Sequence, residues 1–112
     1  MQISEIESFA LDKIFGGDEE AVEVLRNVDL AEVVERKETG VGFFAKILLR
    51  GNLSPQLEKR QWDWNFSHRK LMHGGSFIAF LEMPNVIELE GVVHSGAWPT
   101  IFDPQDFSEM EA

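Results

Sequence analysis

With 112 residues, the chain has the length of one domain and can build a hydrophobic core without disulfides or metal clips. It contains no cysteine, which excludes a disulfide framework, a thiolate nucleophile and any cysteine-ligated metal. Its formal net charge of −10 opposes phosphate backbones and anionic lipid, so neither nucleic acid nor membrane is expected as a partner.

The charge comes in blocks. Residues 1–38 carry 11 acids and 4 bases, residues 39–75 carry 2 and 6, and residues 76–112 carry 7 and none. A basic protein partner suits such a chain, although the same charge also serves solubility. The opening MQISEIESFALDKIF has acids where a secretory signal has bases, and no apolar run reaches the ~18 residues needed to cross a bilayer, so a cytoplasmic protein is expected.

Ser4 and Glu7 form a capping-box pattern, and Ile3, Ile6, Phe9, Ala10 and Ile14 follow at helical spacing until Gly16-Gly17. A second helix is predicted from Asp18 as N-cap, with Glu19 and Glu20 in its first turn and Ala21, Val22, Val24, Leu25 and Val28 as its apolar stripe. After Leu30 the β-branched residues of AEVVERKE alternate with charges, which predicts a strand. Gly40 and Gly42 mark a turn, and FFAKILLR reads as a second strand with Phe43, Ala45, Ile47 and Leu49 inward and Lys46 outward. GNLSPQLEKR is a polar connection. QWDWNFSH alternates strictly, with Trp62, Trp64 and Phe66 on one face, and is a third strand.

RKLMHGG, residues 69–75, reads as a basic loop leading to a hairpin, in which Phe77–Leu81 and Val86–Leu89 flank Met83-Pro84-Asn85. A three-residue turn sets Leu81 opposite Ile87, Ala79 opposite Leu89 and Phe77 opposite Gly91, and leaves Ile78, Phe80, Glu88 and Glu90 on the other face. Val92 and Val93 extend the last strand. Residues 97–112 hold two prolines, four acids and no regular period, so an irregular acidic tail is expected, with Trp98, Ile101 and Phe102 folding back. The expected fold is α+β, with two N-terminal helices packed on one face of an antiparallel β-meander of about five strands. It forms one domain: residues 1–28 helical, 30–94 sheet and 97–112 tail.

Glu88 and Glu90 project from one strand face, roughly 7 Å apart at the backbone. Paired carboxylates can serve acid/base chemistry or a cation, although polar-out alternation on any half-exposed strand gives the same pattern. His68, His73 and His94 could join Asp63 or a hairpin glutamate in a zinc or acid/base cluster, yet no H-E-x-x-H spacing is present, and neither metal nor cofactor is expected. The glycine pairs fit turns rather than phosphate loops, and no G-x-S-x-G occurs. Trp62, Trp64 and Trp98, close in sequence to Lys59, Arg60, Arg69 and Lys70, would give an amphipathic contact patch if any stays exposed.

G-V-G-F-F at 40–44, the glycines at 74–75 before a strand, and I-E-L-E-G at 87–91 followed by W-P at 98–99 resemble segments of a set of small, functionally unassigned bacterial proteins. These carry a G-F-[FY] strand and a closing L-E-G-[YF] … W-P segment. The resemblance spans residues 40–99 and implies a bacterial cytoplasmic protein with an antiparallel sheet; it brings no catalytic residues. Val92-Val93-His94 departs from the pattern, which has an aromatic after the glycine.

The leading functional expectation is a non-enzymatic protein-binding module. One version is an immunity-type or accessory protein covering a basic partner with acids drawn from Glu19, Glu20, Glu23, Glu88 and Glu90. The alternative is a small enzyme or ligand-binding domain with a pocket of Trp62, Trp64, Glu88, Glu90 and His94. Self-association through the strand Gln61–Ser67 is a third.

Overall fold

The computed structural model describes residues 1–16, 18, 31–50, 60–83 and 85–110. These hold one α-helix, α1 (Glu5–Phe15), and six strands: β1 (Glu32–Thr39), β2 (Gly42–Leu48), β3 (Gln61–His68), β4 (Leu71–Met83), β5 (Val86–Val93) and β6 (Phe107–Glu109). All neighbours run antiparallel in one sheet of order β1-β2-β5-β4-β3-β6.

The expected architecture of two helices on a five-stranded meander is therefore corrected: among the described residues the fold is mostly β, with one helix on a six-stranded sheet. Apart from Asp18, the residues of the predicted second helix lie outside those described, Glu19, Glu20 and Glu23 included. The sheet is not a meander because β2 pairs with β5, skipping β3 and β4. Two local features suit that pairing: Lys46 of β2 lies opposite Glu88, and Gly42 lets the backbones close. A Cβ on Gly42 would fall 1.9 Å from the Gly91 carbonyl oxygen.

The expected loop 69–75 shrinks to a turn at Arg69-Lys70. From Leu71 onward the chain is strand, taken through an irregularity in its pairing with β3 where Gly74 adopts φ +64°. The tail is also more ordered than its composition suggests. Asp103 caps a 3₁₀ turn over Pro104–Asp106, and β6 then pairs with Phe66–His68 of β3.

Helix α1 starts at the expected capping box, with the Ser4 N–H donating to Glu7 Oε1 at 2.8 Å and the Glu7 N–H to Ser4 Oγ at 3.3 Å. Its buried residues Ala10, Leu11, Ile14 and Phe15 lie against the inner face of the sheet, where Phe43, Ala45, Ile47, Trp62, Phe66, Phe77, Ala79, Leu81, Ile87 and Leu89 are also buried. Phe9 packs edge-on to Trp64 and Phe77, each with centroids 6.1 Å away, and Phe15 does the same to Trp62 at 5.0 Å. Each fully buried Leu or Phe removed from water stabilises by about 1.5–3 kcal/mol, so this single layer supplies much of the driving force.

Candidate functional site

Period-two alternation gives the sheet a second face, turned away from α1. The hairpin pairs as its pattern predicts, with Leu81 opposite Ile87, Ala79 opposite Leu89 and Phe77 opposite Gly91, which sends Ile78, Phe80, Glu88 and Glu90 outward. Across four strands the outward residues line up in rows. Lys46, Glu88, Phe80 and Gln61 form one; Phe44, Glu90, Ile78 and Asp63 form the next. Phe80 and Leu48 keep 36% of their surface in contact with solvent, and Phe44, Ile78, Val86 and Val92 are half-buried.

Carboxylates outnumber cations here. Lys46 Nζ lies 3.6 Å from Glu82 Oε2 and 3.8 Å from Glu88 Oε1, so one ammonium serves two acids, and Glu90 stands exposed beside them. Partial desolvation and the hydrogen bond and charge of Glu82 hold Glu88 above the ordinary carboxylate value, against the opposing pull of Lys46.

The pocket expected from Trp62, Trp64, Glu88, Glu90 and His94 is not assembled. Trp62 is buried on the helix side, where its indole N–H donates to Asp18 Oδ2 at 2.9 Å, and Trp64 shares that side; the two glutamates are on the other. His94 is occupied, with Nε2 3.0 Å from Ser76 Oγ and Nδ1 3.0 Å from the His73 carbonyl oxygen. His68 is buried beside Phe107, its Nδ1 accepting from the Lys70 N–H at 3.0 Å. The three histidines thus do not converge, and among the described residues no group of three His, Asp or Glu side chains could hold a metal ion. No described helix is long and apolar enough to cross a membrane.

A feature that sequence reasoning missed lies at the sheet edge. Ser4, Ile6 and Glu7 of the helix start, Arg36 and Glu38 of β1, Phe43 of β2, and Trp98, Pro99 and Phe102 enclose a groove of about 730 Å³. It forms where residues 40–44 and 98–99 meet: the Trp98 N–H donates to the Gly40 carbonyl at 3.0 Å, and the Trp98 ring packs edge-on against Phe43, centroids 5.4 Å apart. Beneath them Arg36 grips Glu7, Nη2 to Oε1 at 2.7 Å and Nε to Oε2 at 2.8 Å, while Nη2 also donates to the Gln2 carbonyl at 2.9 Å. Burial alone would raise the Glu7 carboxyl, but the hydrogen bonds from Arg36 and Ser4 and the charge of Arg36 outweigh it and leave Glu7 below the ordinary value. The one hint in sequence was the capping box, which accounts for Glu7 but not for its second partner.

Compared with protein-family models, with curated proteins and with solved structures, the chain matches none.

Proposed function

We propose that this chain is a non-enzymatic, cytoplasmic protein-binding module that receives a basic, partly apolar partner on the outward face of its sheet. The carrying observation is the alternation of Phe44, Ile78 and Phe80 with Glu82, Glu88 and Glu90 across neighbouring strands. The apolar side chains offer area to bury, and the surplus carboxylates steer and orient a cationic partner. An immunity-type or accessory protein that blocks a basic partner is the version that best matches a chain of net charge −10. The separation of Trp62 and Trp64 from Glu88 and Glu90 favours this reading over an enzyme, because acid/base work needs its groups around one reacting atom.

Immobilised wild-type chain should capture one protein from a bacterial lysate at low salt. A chain with Glu88→Lys and Glu90→Lys should lose it, whereas Glu5→Lys, on the helix, should retain it. Undiminished capture by the double reversal would remove the outward face from the account.

A further inference from the structure

The groove between the helix start, β1 and the Trp98 segment has the size of a small-molecule site and a composition that selects by charge. We propose that it binds an organic ammonium ion carrying an apolar body. Phe43, Trp98, Phe102, Pro99 and Ile6 supply apolar and aromatic wall. Aromatic rings attract a cation through their quadrupole as well as burying its hydrocarbon. The polar groups then set the sign. Arg36 could invite an anion, but it is committed to both oxygens of Glu7 and to the Gln2 carbonyl. Arg36 and Glu7 cancel, and although Glu38 also feels the Arg36 charge, it is exposed and makes no ion pair within 4.0 Å among the described residues, so the lining keeps one excess negative charge. An anion would therefore meet a carboxylate and an occupied guanidinium, in a molecule already strongly negative. A neutral ligand would gain the apolar contact only. An ammonium gains the wall, the ring quadrupoles and Glu38 together.

The site is also pre-arranged. The hydrogen bond from the Trp98 N–H to Gly40 and the edge-on contact with Phe43 hold that ring, and the Arg36–Glu7 pair fixes the floor, so little ordering opposes binding. The Trp98 indole N–H donates to no group among the described residues and is a convenient reporter.

Titration of the full chain with phenethylammonium, 2-phenylethanol and 3-phenylpropanoate, followed by the indole N–H resonance that Trp98→Phe deletes, tests the assignment. The ammonium should shift that resonance saturably and bind at least about fivefold tighter than the alcohol, with the carboxylate weakest. Glu38→Gln, at an exposed strand position, should keep the rest of the spectrum and bring ammonium and alcohol to similar affinity. No saturable shift, equal binding of alcohol and ammonium by wild type, or a preference that survives Glu38→Gln would each overturn it.

Discussion

Arg36 is the residue on which two regions of the molecule depend, since it ties the start of α1 to β1 through Glu7 and floors the groove. Glu7 is buried to 1% exposure, so truncating its partner strands a carboxylate away from water. Arg36→Met should cost about 2 kcal/mol in urea unfolding, less than for a wholly buried pair because Arg36 itself is partly exposed. The same pair predicts an acid dependence. Glu7 is lowered in the folded state, so its stabilisation is present above the ordinary value of 4.5 and is lost as pH falls through the folded one. Arg36→Met should flatten that acid limb. His68 works in the same direction at higher pH. Desolvation holds it below 6.5, with the charge of Lys70 adding to this and Asp106 opposing, so the unfolded chain takes up the proton first. Stability should therefore fall as pH drops through 6.5 and level off below the folded value, and His68→Phe should remove that portion of the slope; an unchanged slope would contradict the assignment.

At the scale of elements, β2–β5 pairing depends on a glycine. Gly42→Ala would press a methyl onto backbone that cannot rotate aside, and should lower stability by about 3 kcal/mol in thermal or urea unfolding, against under about 1 kcal/mol for Gly40→Ala, where nothing lies within 4 Å. This pairing also marks where sequence reading stops. The hairpin register was legible because a one-residue slip would put Glu88 and Glu90 opposite Leu81 and Ala79, and β3 was legible because Trp62, Trp64 and Phe66 alternate strictly. Strand order was not, since alternation says which face a residue takes and nothing about which strand lies beside it. The irregularity between Val33 and Glu35 hid the groove in a different way. Strict alternation from buried Val33 sends Arg36 outward, but the shift in register reverses the parity and brings it inward opposite Ala45, beneath the helix. β6 was hidden by its length: three residues carry no periodic signal, and its place is set by Phe107 packing on Phe66 and His68.

Over the whole molecule, one face of the sheet is consumed by the core and the other is offered outward, with the groove at the edge beside β1. Binding of the proposed basic partner to the outward face should weaken steeply as salt rises from 50 to 500 mM, because exposed charges are screened within about 10 Å at 0.1 M. The apolar rows should leave a residual that salt does not abolish. The most direct measurement is photocrosslinking in cells from a single site on that face. A photoreactive residue at Phe80 should join the chain to one basic protein, and the same residue at Glu5, exposed on α1 at the other side of the sheet, should not. Crosslinks from Phe80 that are absent, or no more specific than those from Glu5, would contradict the claim that the outward face of the sheet is the binding surface.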